Sequence, residues 1–234
     1  MRAFAWAGAL LFAGALAWFA YRYFVIFGTP VAGVLQANVV GVNVALFTAF
    51  AFHHTLFART PLRRWIFAHA RDAERSIYVW VASLLFIAVC TLWVPLPGVW
   101  WTVSGPAAWL LRAAQLFGVV LTLRGAAVID VWDLAGMNGA RDFSPGENGA
   151  RDFSPGPFST TWPYGWVRHP IYLGWFLLVW PVGVMTTTRL VFAAVSSAYL
   201  LIAIPLEEGT LRRTAPEYDE YRRQVRWRVL PGVY

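Results

Sequence analysis

The sequence predicts an all-α fold, a polytopic membrane bundle of five or six transmembrane helices with a cytoplasmic helix at the C-terminus. Three observations predict it. Of the 234 residues, 59% are apolar and only 13% charged, against roughly a quarter charged in soluble domains. The apolar residues come in long runs, and a helix needs about 20 of them to cross a bilayer. The 19 basic side chains, all arginine, crowd between and after those runs.

Six runs qualify, since a bilayer core cannot hydrogen-bond free backbone groups and so enforces helix. They are residues 3–20, 31–57, 77–94, 107–129, 171–185 and 190–206. The first follows a single Arg2, too weak a basic flank for a signal peptide cleaved near Ala15-Leu16-Ala17. The fifth is short, and with the sixth it suits a tight hairpin around Thr186-Thr187-Thr188-Arg189. Five spans is the alternative count.

Arginine placement orients the bundle. Five arginines lie in 59–75 and six in 212–228, whereas the opposite loops near Gly28, Gly98 and Thr187 contribute at most Arg22 and Arg189. Both termini, the 59–75 loop and the 130–168 loop are thus expected in the cytoplasm. Net charge of +7 is accounted for by this topology and by lipid headgroups, with no nucleic acid partner. Cys90 is the only cysteine, which excludes an intramolecular disulfide and a cysteine metal cluster, and no metal site is expected. Arg124 and Asp130 are six residues apart, not a helix-face spacing, and receive no role. The chain divides into transmembrane helices (1–135), a cytoplasmic loop (136–160) and a C-terminal core (161–234). Within the loop NGARDFSPG occurs twice, at 138–146 and 148–156, a tandem duplication of turn formers.

Two polar clusters interrupt the apolar pattern at the cytoplasmic boundary. Arg168-His169 precede Pro170, which suits the first turn of a helix. A cation and an imidazole therefore stand at a helix N-terminus, where dipole and free N–H groups favour an anion such as a carboxylate. Glu207 and Glu208 end the last run, and buried carboxylates need a cationic ligand or an arginine such as Arg212. An antiparallel hairpin returns both clusters to one membrane face, around a ligand carrying a carboxylate and a positive charge. Farther up, Asn43 and His54 are three turns apart on a face that is polar inside a span, expected to point into the bundle.

The C-terminal pattern resembles that of the integral membrane methyltransferases, which include isoprenylcysteine carboxyl methyltransferase and the phospholipid methyltransferases. It reads Arg168-His169-Pro170-Ile171-Tyr172-Leu173-Gly174, then Glu207-Glu208-Gly209-Thr210-Leu211, Tyr218-Asp219-Glu220-Tyr221 and Leu230-Pro231. Phe52-His53-His54-Thr55-Leu56-Phe57-Ala58-Arg59, Glu74-Arg75-Ser76-Ile77-Tyr78 and Ala82-Ser83-Leu84 are similar to the bacterial methanethiol S-methyltransferase branch. The resemblance implies S-adenosylmethionine as cofactor, a site open to the cytoplasm of a bacterial inner membrane, and an acceptor arriving from the lipid bilayer. Tyr164, Gly165, Val167, His169, Pro170, Ile171, Tyr172, Gly174, Glu207 and Glu208 are then expected to bind the cofactor, with 156–159 as a cap. Arg168, Glu208, His53 and His54 are the expected catalytic residues, the two histidines as bases for a thiol.

A thiol acceptor, small or lipophilic, ranks first, a phospholipid amine second and a prenylcysteine carboxylate third. Prenylcysteine enzymes carry an arginine one turn before the glutamates, where this chain has Ile202-Ala203-Ile204-Pro205; Thr214-Ala215 replaces the usual Phe-Gly. Membrane sterol reductases share an R-H-P motif with NADPH, but its phosphates call for cations where Glu207-Glu208 stand. A non-enzymatic membrane protein of nitrogen-oxide metabolism is the remaining reading. No two glycines are separated by one residue, so a Rossmann phosphate loop is absent. The sequence does not specify an oligomeric state.

Overall fold

A computed structural model describes residues 2–59, 71–129, 135, 158 and 160–234, with side chains omitted at 56–59 and 71–75. Arg63, Arg64, Asp130, both copies of the repeat and the 156–159 cap apart from Phe158 lie outside the described residues.

The chain runs α1 (Arg2–Tyr21), a π-helical continuation (Arg22–Ile26), α2 (Ala37–Arg59), α3 (Arg71–Leu92), β1 (Val99–Thr102) and α4 (Pro106–Ile129). It continues through α5 (Pro170–Val179), β2 (Val184–Thr186), α6 (Thr187–Thr214) and α7 (Tyr218–Gln224). Among the described residues four stretches are long and apolar enough to cross a membrane, Arg2–Ile26, Ala37–Thr55, Pro106–Ile129 and Thr187–Thr214. The two other runs form shorter apolar helices, Ser76–Leu92 and Pro170–Val179. Leu10, Val34 and Leu110 are 70 to 84% exposed, a surface suited to hydrocarbon and not to water.

Local chemistry explains where runs and helices diverge. The second run starts at residue 31, yet α2 starts at Ala37, because Pro30 and Gly33 hold the entry in a non-helical path and Gly33 takes φ +135°. The fifth run ends early because Pro181 offers no N–H to continue the helix. Residues Val184–Thr186 instead pair antiparallel with Val99–Thr102, Val99 opposite Thr186 and Thr102 opposite Val184. This small sheet was not expected from the sequence; Pro95, Pro97 and Gly98 release the chain from α3 directly into it.

Arg189, expected in a loop, is buried at that end of the bundle. The π-helical turn widens the backbone there, with Phe27 N–H bonded to the Arg22 carbonyl at 2.7 Å. Arg189 donates to the carbonyls of Tyr23, Phe24 and Val184 at 3.0, 2.8 and 2.6 Å. Gly28 makes room, since a Cβ there would lie 2.2 Å from the guanidinium.

Phe192 of α6 sits at the centre of the core, with Phe19, Tyr23, Phe27, Phe47, Trp93 and Trp175 around it at 5.1 to 6.3 Å between ring centroids. Asn43 holds the end of α3, donating to the Val94 carbonyl at 2.8 Å and accepting from its N–H at 2.9 Å. Helix α5 is ten residues long and is held by α4 through a close backbone approach. A Cβ on Gly174 would meet Thr122 Oγ1 at 2.1 Å and the Gly118 carbonyl at 2.6 Å, the small-residue packing that membrane helices use.

Candidate active site

Helices α5 and α6 run antiparallel and bring Arg168-His169 to Glu207-Glu208, as the hairpin predicted. Glu208 lies at the centre and is 3% exposed. Its Oε1 accepts from Arg168 Nε at 2.8 Å and lies 3.3 Å from His169 Nε2, while Oε2 accepts from Arg228 Nε at 3.1 Å. Arg168 Nη1 also donates to the carbonyls of Val225 and Arg226, at 2.8 and 2.7 Å. The tail pairs back along the same segment, its Trp227 and Arg228 carbonyls accepting from the N–H groups of Arg168 and His169 at 2.9 and 2.8 Å. A buried ion pair of this kind is tolerable only because every participant is multiply bonded.

Glu207 has the opposite setting. Its side chain is 36% exposed, and it accepts from the Tyr172 hydroxyl at 2.7 Å. His169 Nδ1 lies 4.0 Å away, and the His169 ring stacks on Tyr172 at 5.3 Å with 10° between planes. Here a carboxylate, an imidazole and a phenol share one rim. Arg212, expected opposite the glutamates, pairs instead with Asp219 at 3.1 Å, because α6 carries it outward one turn beyond them.

The other expected cofactor residues divide by helix face. Val167 is fully buried with Leu121, Leu173, Ile204 and Val229. Pro170 and Ile171 abut Gly125 of α4, and Gly174 abuts Gly118. These four residues therefore pack towards α4 or the core, whereas the side chains of His169, Tyr172 and Glu207 converge. Gly165 occupies a tight turn, where a Cβ would lie 2.0 Å from the Thr160 carbonyl. It also borders an open depression of about 490 Å³ with Phe117, Thr160, Trp162 and Trp166.

Tyr164 is half-buried, and its carbonyl accepts from the Tyr221 hydroxyl at 2.8 Å. Burial, then Tyr221 and the Glu207 carboxylate, push the Tyr164 phenol above its ordinary range. Burial and the adjacent Glu208 do the same to Tyr218. For Tyr221, burial raises it most, and Arg168 opposes the rise. Arg228, Tyr218 and Tyr221 were not among the expected site residues. In the sequence Tyr218-Asp219-Glu220-Tyr221 is a pattern without a role, and Arg228 is one of six C-terminal arginines for which topology accounts. His53 and His54 lie apart from these residues, on α2 beside Tyr78 and Tyr199.

Among the described residues no cluster of three or more His, Cys, Asp or Glu suits a metal ion. The chain is similar to methanethiol S-methyltransferase 2 of Bradyrhizobium diazoefficiens, 35% identical over 79% of this chain and 70% of the relative. Methanethiol S-methyltransferase of Crocosphaera subtropica is 33% identical over 79% of this chain and 72% of its own. Nurim of Xenopus laevis is more distant, at 27% over 72% of this chain and 61% of its own. No family model matches the chain. No solved structure matches it either.

Proposed function

The chain belongs to the family of integral membrane methyltransferases represented by the methanethiol S-methyltransferases, and on that premise we propose that it methylates a small or lipophilic thiol, methanethiol first, with S-adenosylmethionine as the donor. The observation that carries the donor assignment is the Glu207 rim. Its carboxylate is held by Tyr172 and half open, while Glu208 beside it is consumed by arginines. A ligand with positive charge complements Glu207, and the stacked faces of Tyr172 and His169 add π surface for a cation. Bound S-adenosylmethionine supplies an electrophilic methyl group on a sulfonium centre.

Arg168 and Glu208 are positioning residues in this reading. Their mutual bond, and the bonds of Arg168 to the tail, fix His169 at the rim. Val167, Pro170, Ile171 and Gly174 set the angle of α5 through α4, and Tyr164 and Gly165 shape the approach. A thiolate meeting a cationic donor loses charge as it reacts, so a site withdrawn from water favours the transfer. Ile202 to Pro205 offer no cation for a prenylcysteine carboxylate, which ranks that acceptor below a thiol. We place the site on the cytoplasmic side of a bacterial inner membrane with six crossings, from the arginine asymmetry.

Calorimetric titration of the detergent-purified protein with S-adenosylmethionine, its demethylated product and NADPH tests the donor. Binding of the first two is expected; binding of NADPH alone overturns the assignment. Incubation with S-adenosylmethionine and methanethiol should release dimethyl sulfide. Methylation of phosphatidylethanolamine with no dimethyl sulfide would move the acceptor to a lipid amine.

A further inference from the structure

A second polar cluster lies inside the bundle, apart from the Glu208 network. His54 Nδ1 and the Tyr78 hydroxyl are 2.7 Å apart, and Thr55 Oγ1 and the Tyr199 hydroxyl 3.0 Å apart. Tyr199 meets the His54 ring edge-on at 6.3 Å, and His53 stacks on Tyr78 at 5.8 Å. Phe50 closes one side, 5.8 Å from His54. Helices α2, α3 and α6 all contribute.

Position links this cluster to the rim. Tyr199, Ala203 and Glu207 follow at four-residue intervals on α6, so they share an arc of about 80° and span about 12 Å of its axis. Between the two polar groups this side of α6 carries only the Ala203 methyl. One hydrogen bond suffices to tie two membrane helices. Two imidazoles, two phenols and a hydroxyl meeting on the arc of α6 that ends at a charged rim go beyond that, and polar groups turned into a membrane bundle mark substrate paths.

Resting on the thiol reading above, we propose that this cluster is the acceptor subsite and that Tyr78 and His54 together remove the proton of a small apolar thiol. The Tyr78 hydroxyl takes the S–H proton as it hands its own proton to His54 Nδ1. The S–H bond breaks, the sulfur forms its bond to the transferred methyl group, and the donor keeps the electron pair of the C–S bond it loses. Imidazolium then returns the proton to water. His54 Nδ1 must start unprotonated, with its proton on Nε2, for the 2.7 Å contact to run in this direction.

Two thiols separate this role from a structural one: methanethiol, protonated at neutral pH, and thiophenol, far more acidic. Tyr78→Phe and His54→Gln should each lower methanethiol turnover about 100-fold or more, the range of a lost general base, and leave thiophenol turnover within a few-fold. The methanethiol rate of the variants should climb with pH, following free thiolate, where the parent protein levels off. A readout without any donor completes the test. Thiophenol bound to the parent protein should ionise, by its ultraviolet thiolate band, at lower pH than when bound to either variant. Equal losses on both thiols, or unchanged methanethiol turnover, overturn the proposal while the thiol reading stands. A parent protein inert towards both thiols overturns the thiol reading and this proposal with it.

Discussion

Glu207 and Glu208 carry the same side chain, yet a rotation of about 100° around α6 gives them different duties. Glu208 faces Arg168, His169 and Arg228, its side chain 4% exposed, and Glu207 faces the rim. Glu208→Gln should therefore cost about 3–5 kcal/mol of stability, the effect of leaving a buried partner charge uncompensated, seen as a lowered melting temperature in detergent. Glu207→Gln should melt close to the parent protein and bind S-adenosylmethionine about tenfold more weakly, about 1.4 kcal/mol, measured by calorimetry. Equal melting temperatures for the two variants would mean that the buried network contributes nothing to the fold. The pair was legible in the sequence because adjacent carboxylates at the end of an apolar run need partners. Their division was not, because it depends on the phase at which Phe192, Ser196 and Ile204 lock α6 into the bundle. Arg228 was hidden for another reason: among six arginines after the last span, only the folded tail singles out the one that reaches Glu208.

Helix α5 is half the usual crossing length, and its short span matters because it sets the height of His169 against Glu207. Apolarity made its start legible, and Pro170 marked it; its end was not, since Val184 and Met185 are as apolar as the helix and only pairing with β1 draws them off. Gly174 is the point at which α5 meets α4. Gly174→Ala should drive the helices apart and cost about 1–3 kcal/mol by overpacking, with loss of S-adenosylmethionine binding. Gly14→Ala, whose Cβ meets nothing within 4 Å, should be neutral in both measurements. The C-terminal layer adds a pH dependence. Tyr164, Tyr218 and Tyr221 hold their phenolic protons above the ordinary range. A raised folded-state value stabilises the fold below the unfolded phenol pKa of about 10, and that contribution is lost as pH rises beyond it. Melting temperature in detergent should fall above pH about 10, and Tyr221→Phe should make the fall shallower. An unchanged slope would place the alkaline sensitivity elsewhere.

The molecule as a whole is turned outward, with Phe192 and its ring cluster inside and leucine, valine and tryptophan over the surface. Arginine placement is the one global feature that the sequence displays more openly than the fold, because orientation arises from charge near helix ends and not from packing. Arg189 is the informative exception: it lies on the predicted outer side and is neutral to the rule, since three backbone carbonyls hold it inside the protein. Cys90, fully buried, makes orientation measurable, because it leaves no reactive background. Ser104 and Glu217 are both exposed and belong to opposite ends of the bundle, one after β1 and the other before α7. In intact cells a membrane-impermeant maleimide should label Ser104→Cys and spare Glu217→Cys, and inverted vesicles should reverse the result. The reverse pattern in cells would put the Glu207 rim outside, where S-adenosylmethionine is not supplied by cytoplasmic metabolism, and would remove the donor assignment together with the topology. Labelling of both positions from one side would instead require an even number of crossings between them, which singles out the short α5 as the helix that fails to cross.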